Sequence, residues 1–407
     1  MSDKSRNFLA ILMLALLATS AFVAGYFAND FIEMGSGGGR LAQDRQKFGV
    51  FWEAWGRIQA NFLGELPDST QLTYSAIRGV VSELNDPYTV FVEPILHKQD
   101  QESLRGKFGG IGATLSRPDP GGAVILDPIP GNPAEVAGIL KGDVLVAVDD
   151  VTITAEMTVH DIVNLIRGET GTPVTLTVLH EGNDHPITVT IERSEILLPS
   201  VTFRILKEDP NIGYIQLSRF SGESANEVKN AITSLQAQGA TQLILDMRQN
   251  GGGLLDAAVN VADLFLTDGV ILYQKTRGQQ VELTFSARAE TAAPNEPLVV
   301  LVDRGTASAA EIVAGALQDR ERAVLIGNDQ TFGKGSVQMV FDLEDGSSVH
   351  VTSARWFTPD RRQIDQQGLQ PDIWVTVSQE AIDNGLDEVL EQAVAYFQNG
   401  SESTLSR

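Results

Sequence analysis

The sequence predicts an α/β (α+β) core interrupted by a smaller, mostly β insert. N-terminal helices and a single N-terminal transmembrane helix are expected to precede it. Three observations carry this expectation. From Ile212 onward, short apolar strand-like runs alternate with helical ones, the pattern of an α/β layer. Between Lys107 and Arg193, short β runs alternate with Gly, Pro and Asp turns. Near the N-terminus, the 21 residues Phe8–Ala28 carry no charge.

Lys4 and Arg6 precede that run, and Asp30 and Glu33 follow it. The run is long enough to span a bilayer, and the basic flank sends the rest of the chain outward. Thr19-Ser20-Ala21 is a tolerable cleavage site, so a cleaved signal peptide stands as the alternative. The apolar run continues past it, which favours an uncleaved anchor in the cell membrane over a secreted or periplasmic product. Gly35-Ser36-Gly37-Gly38-Gly39 then reads as a flexible tether, giving residues 1–40 as anchor and leash.

Residues 41–106 read as helical. Phe51, Trp52, Trp55, Ile58 and Phe62 recur at three- and four-residue intervals, and the helical reading extends from Phe48 to Val92. The insert, 107–193, has β runs at Ala123–Leu126, Asp143–Val148, Val174–Leu179 and Ile187–Ile191, with a helix at Val159–Ile166. The core, 194–378, has strands at Ile212–Leu217, Gln242–Asp246 and Leu298–Asp303. Helices are expected at Ser224–Gln238, Leu254–Leu266 and Ser308–Asp319. A C-terminal helix and tail fill 379–407.

Composition removes several functions. Of 407 residues, 30 are Lys or Arg and 53 are Asp or Glu, a net charge of −23, which argues against a nucleic-acid binder. The absence of Cys excludes disulfides, thiol nucleophiles, zinc–thiolate sites and a lipidated cysteine anchor. Five His leave little for a metal site or a histidine base. No metal or organic cofactor is implied.

Three Gly-rich junctions carry chemistry. Strand Leu298–Asp303 runs through Arg304-Gly305-Thr306-Ala307 into Ser308 at a helix start. Free backbone N–H groups there favour a developing oxyanion, although serine is also a preferred capping residue. A nucleophilic serine needs a base. His350 sits among strand residues and reads as packed, whereas Lys334 lies between Gly333 and Gly335 before a hairpin turning at Asp345-Gly346. Desolvation would give Lys334 a neutral amine able to take the serine proton. Gln338, an even spacing away, would share its strand face and hold that amine. A phosphate-loop reading fails, because Gly335 replaces the required Ser or Thr and the glycine spacing is wrong. At the third junction, Gly251-Gly252-Gly253 follows strand Leu243–Asp246 and offers a nest of N–H donors.

Together these motifs resemble the carboxyl-terminal processing (tail-specific) serine peptidases. The likeness rests on Gly305–Ile312, Thr331–Gln338 and Leu243–Ala258 in that family's pattern. It extends through Gly79–Phe91, Ile212–Phe220 and Thr352–Ile373. The resemblance implies Ser308 as nucleophile, Lys334 as general base and Gln338 as the residue orienting it. The N–H groups of Ala309 and of Gly251 or Gly252 are implied as the oxyanion hole. Gly305 and Ala310 stand where Ser is common, Gly251 where Pro is common, and Arg361 where Gly is common.

The insert resembles a PDZ domain. Phe108, Gly109, Gly110, Ile111 and Gly112 match its carboxylate-binding loop, and Val159, Ile162, Val163 and Ile166 would wall the groove. Arg167 matches a position linking that domain to the active site. His160 could read a peptide hydroxyl. The implied function is an extracytoplasmic endopeptidase that recognises protein substrates through their C-terminal tails and is gated or targeted by the PDZ domain. A homo-oligomer is compatible with the sequence. The alternative from another class is a catalytically silent PDZ scaffold.

Overall fold

A computed structural model of the chain describes residues 47–278, 281–288 and 291–399. The expected membrane helix, Phe8–Ala28, lies outside these residues. Among the described residues no helix is long and apolar enough to cross a membrane. The chain divides between Ala76 and Ile77 into two compact units.

In the first unit, α1 (Gly49–Asn61) follows the expected apolar spacing, yet none of its residues is buried. α2 (Ser69–Ser82) begins in this unit and ends in the next. The expectation of helix through to Val92 is corrected twice. Pro67 biases the residue before it away from helix, and the chain is non-helical between α1 and α2. Val90–Val92 is a strand, β1, as its β-branched and aromatic residues prefer.

The second unit is built on a six-stranded sheet. Its order is β10 (Val201–Ile205), β11 (Ile212–Leu217), β12 (Gln242–Asp246), β15 (Leu298–Val302), β16 (Val324–Gly327) and β19 (Ile373–Trp374). All pairs are parallel except β10–β11. Alternate residues face opposite ways, so both faces need cover. Ile215, Leu217, Leu243 and Leu245 pack with α6 (Ser224–Ala237), α7 (Leu255–Asp263) and α8 (Ala309–Asp319). Tyr214, Ile244, Val299 and Leu301 pack with Val389 and Ala393 of α10 (Glu388–Gln398), which follows the short α9 (Gln379–Asn384).

A second sheet centres on β18 (Ser348–Phe357). β17 (Ser336–Asp342) pairs along one edge of it in a hairpin, with Gly346 at φ 83° in the turn. The other edge carries β1 at Ser348–His350 and β13 (Val270–Thr276) at Ala354–Phe357, with β14 (Leu283–Ser286) beyond β13.

The insert follows α3 (Pro94–Arg105) and is closed by its own entry and exit. β2 (Lys107–Gly110) pairs antiparallel with β9 (Ser194–Leu197). Between them β3 (Ala113–Ser116), β4 (Val124–Pro128), β5 (Asp143–Val148), β7 (Pro173–Leu179) and β8 (Ile187–Glu192) form a sheet in that order, with β6 (Val151–Thr152) beside β5. α4 (Pro133–Val136) and α5 (Val159–Ile166) complete it, and Thr158 and Asp161 cap α5 reciprocally. A separate cluster including Leu126, Ile162, Leu176 and Val178 is its core.

Candidate active site

Ser308 stands at the junction of β15 and α8 with φ 55° and ψ −116°, a region that non-glycine residues rarely occupy. Such a conformation costs on the order of 1–3 kcal/mol, and persists only where the surroundings over-determine it. They do so here. Ala307 N–H donates to the Asn250 carbonyl at 2.9 Å, and the Thr306 hydroxyl donates to the Met247 carbonyl at 2.9 Å. Phe332 N–H donates to the Thr306 carbonyl at 2.9 Å. Gly252 packs so tightly that a Cβ there would meet Ser308 Cβ at 2.8 Å. The three Gly-rich junctions of the sequence therefore meet at one place.

Their common anchor is Glu311, fully buried one turn into α8. Its Oε2 accepts the N–H of Ser308 at 2.8 Å and of Lys334 at 2.9 Å. Its Oε1 accepts the N–H of Gly333 at 2.7 Å and the hydroxyl of Thr331 at 2.5 Å. Burial pushes this carboxyl up, against the four hydrogen bonds, and the net direction is upward. One carboxylate thus holds both the serine turn and the lysine loop.

Lys334 is largely buried, and burial drives its amine below the ordinary lysine range, although Glu311 and Asp86 pull the other way. Its Nζ lies 5.1 Å from the centroid of the Tyr88 ring, a face that attracts the ammonium form. The Lys334 carbonyl accepts the Trp356 indole N–H at 3.1 Å, and Trp356 N–H donates to the Gly335 carbonyl at 3.0 Å. No hydrogen bond joins Ser308 to Lys334 in this state.

Two placements refine the expected site. In this state Gln338 is not hydrogen-bonded to the amine: its Nε2 donates to Ser336 Oγ at 2.9 Å and to Thr352 Oγ1 at 3.3 Å. Lys334 precedes β17, and the β17–β18 register shifts between Val337 and Gln338, so the two are not spaced as on a regular strand. At the glycine nest, Gly252 N–H is occupied by Asn250 Oδ1 at 2.9 Å. Gly251 N–H and Ala309 N–H have no intramolecular acceptor among the described residues, so these two remain available to an oxyanion.

In the insert, a groove of about 250 Å³ runs between α5 and the free edge of β3. Of the residues proposed for peptide binding, Phe108, Gly110, Ile111, Gly112, Val163 and Ile166 line it, and Arg167 joins them. Gly109, Val159 and Ile162 do not. A Cβ on Gly109 would meet the Gly168 carbonyl oxygen at 2.1 Å, so that glycine serves a close backbone approach inside the insert. Ile162 faces the insert's own core. The Ile111 and Gly112 N–H groups have no intramolecular acceptor among the described residues. Arg167 lies 4.0 Å over the Phe108 ring and reaches Glu102 of α3 at 3.5 Å. His160 lies 3.5 Å from the Gln99 amide of α3.

Comparison with known proteins decides the family. The profile of Peptidase family S41 matches residues 211–375, and a PDZ domain profile matches 124–180. A carboxyl-terminal-processing protease of Synechocystis sp. is 37% identical over 321 residues, covering 78% of this chain and 74% of the relative. The chain belongs to the carboxyl-terminal processing peptidases. A carboxy-terminal processing protease of Bacillus subtilis is 37% identical over 330 residues, 80% of this chain and 68% of that one. The solved structure of a photosystem II D1 C-terminal processing protease shares 35% identity over 79% of this chain and 86% of its own, with a TM-score of 0.44. The chain is accordingly a serine-type endopeptidase.

Sequence reasoning assigned no role to two residues of this peptidase's site. Glu311 was legible as the fourth residue of a Ser-x-x-Glu capping box, a pattern that signals a helix start and says nothing of the lysine loop. Tyr88 carried no signal of its own, because only the tertiary fold brings it over Lys334.

Proposed function

We propose that Ser308 and Lys334 act as the catalytic dyad of this endopeptidase. The observation that carries the reading is the Glu311 carboxylate joined to the backbone N–H groups of Ser308, Gly333 and Lys334 at 2.7–2.9 Å. It fixes the main chains of nucleophile and base against each other, while burial lowers the Lys334 pKa. Activation requires the Lys334 side chain to swing from the Tyr88 ring toward Ser308. The neutral amine then takes the Ser308 hydroxyl proton as Oγ bonds to the substrate carbonyl carbon. The oxyanion is received by Gly251 and Ala309 N–H groups. The Lys334 ammonium returns the proton to the leaving amine, and water releases the acyl group by the same route. The test compares wild type and Ser308→Ala on an unfolded protein with an apolar tail. Cleavage by wild type alone supports the dyad. Tail binding without cleavage in both would favour the silent scaffold.

The PDZ domain is read as the tail receptor. The unpartnered N–H groups of Ile111 and Gly112, at the mouth of an apolar groove beside a free strand edge, suit a terminal carboxylate. Charge-assisted hydrogen bonds are roughly twice as strong as neutral ones, so amidating a peptide's C-terminus should weaken binding severalfold. Gly110→Glu should do the same, both by its charge and because a Cβ there meets the Phe108 ring at 2.8 Å. Equal affinity for free-acid and amidated peptides, measured by titration calorimetry, would contradict the assignment. Arg167, bound to Glu102 of α3, is the proposed link by which tail binding gates or targets the peptidase.

The location proposed is extracytoplasmic, tethered to the cell membrane by Phe8–Ala28. Fractionation should recover the full chain in membranes and a form lacking residues 1–40 in the soluble fraction with its activity intact. A soluble mature chain beginning near Phe22 would replace the anchor with a cleaved signal.

A further inference from the structure

An open cavity of about 470 Å³ lies on the exposed face of the β13–β18 pair, lined by Lys275, Arg277, Thr352, Ser353, Arg355 and Phe357. The register places Lys275 opposite Arg355, and Arg277 N–H donates to the Ser353 carbonyl. Cross-strand partners share a face, so three cations converge on this side of the sheet. Like charges directly opposite each other destabilise a strand pair unless something neutralises them. Among the described residues no carboxylate pairs with Lys275, Arg277 or Arg355, in a chain with 53 acidic residues to draw on. The neighbouring cation Arg361 is different: it stacks 3.9 Å over Tyr273 and pairs with Glu282. Asp86, the acid near Thr352, is already occupied by hydrogen bonds from Thr89 and Tyr88 N–H. An unrelieved local conflict of this kind marks a functional surface.

Its position says what it serves. Arg355 lies opposite Ser336, two residues from Lys334, and Trp356 holds the Lys334 loop through two hydrogen bonds. Thr352 accepts from Gln338 inside the same hairpin. A polypeptide with its scissile carbonyl at Ser308 advances about 3.3 Å per residue when extended. This cavity would therefore receive a side chain lying along the substrate from the cut, at a register that scanning the flanking positions identifies.

We propose that the Lys275–Arg277–Arg355 cavity is a substrate subsite for an Asp or Glu side chain of the polypeptide being cut, close to the scissile bond. It gives the enzyme a charge preference separate from the terminal carboxylate read by the PDZ domain. The inference rests on the peptidase reading, and two measurements separate their failures. The first uses the full-chain Ser308→Ala variant and labelled apolar-tailed peptides carrying Glu or Gln at each position flanking the cleavage site. Fluorescence anisotropy should show one Glu register binding about tenfold tighter than its Gln counterpart, an advantage that added salt erodes. This arm does not depend on catalysis. The second follows cleavage by wild type, where the same Glu should lower KM and leave kcat nearly unchanged.

In Lys275→Gln/Arg277→Gln/Arg355→Gln the Glu and Gln peptides should become equivalent. In Lys275→Glu/Arg355→Glu a Lys peptide should take over the preference, a gain that misfolding could not produce. The subsite is overturned if wild type does not distinguish Glu from Gln, or if the triple variant keeps the preference. Cleavage without charge preference would sink this inference alone, whereas charge-selective binding without cleavage by wild type would sink the dyad alone.

Discussion

Lys334→Ala is expected to lower kcat by on the order of 10⁴-fold or more, and Ser308→Ala by a similar factor. The double variant should be scarcely worse than either single one, because nucleophile and base act as one unit. Lys334→Arg should be equally inactive: a guanidinium stays protonated throughout the accessible pH range and cannot accept the serine proton. The pH dependence follows from the same burial. Burial lowers the Lys334 pKa, so the neutral amine appears at a lower pH than for an exposed lysine. The quotient kcat/KM should therefore rise with pH through a single ionisation below lysine's ordinary value. Additive losses in the double variant, read by steady-state kinetics, would deny the coupling.

Glu311→Ala is the second large effect. It leaves the N–H groups of Ser308, Gly333 and Lys334 and the Thr331 hydroxyl without their acceptor in a buried site. Each unsatisfied donor costs about 1–3 kcal/mol, so the melting temperature should fall sharply. Displacing either turn by an ångström costs about 10² in rate, so kcat should fall at least that far with little change in KM. Glu311→Gln separates positioning from bulk stability. The Glu311 charge raises the Lys334 pKa, and removing it should move the rising limb of the pH–rate profile toward acid while the plateau drops. A limb that stays in place would assign Glu311 a purely structural role.

How far the sequence could be read depended on whether local pattern or tertiary register decided the feature. Leu298–Val302 announces a strand buried on both faces by its unbroken apolar run, and the structure places it between β12 and β16. Ser308 stood out at a strand–turn–helix junction, where capping alone would explain a serine, and only the family resemblance of the three junctions together gave it a nucleophile's role. Gln338 could not be placed against Lys334 by even spacing alone, because face-sharing of that kind holds only in regular strand and a register shift intervenes. Val90–Val92 hid behind helical neighbours, since a three-residue strand is defined by its partner in β18. The cationic face needed the pairing of Lys275 with Arg355, residues eighty positions apart in sequence. Arg361 takes a left-handed φ of 61°, a conformation that spacing could not announce for an arginine, supported by Tyr273 and Glu282.

The most direct test of the dyad is the rate at which a phosphonofluoridate, which phosphonylates an activated serine with loss of fluoride, labels the chain, followed by mass spectrometry across pH in wild type and Lys334→Ala. One adduct is expected, on Ser308, forming along the same rising limb as kcat/KM, with virtually none in Lys334→Ala. Labelling of Ser308 at the wild-type rate in Lys334→Ala at neutral pH would contradict the dyad.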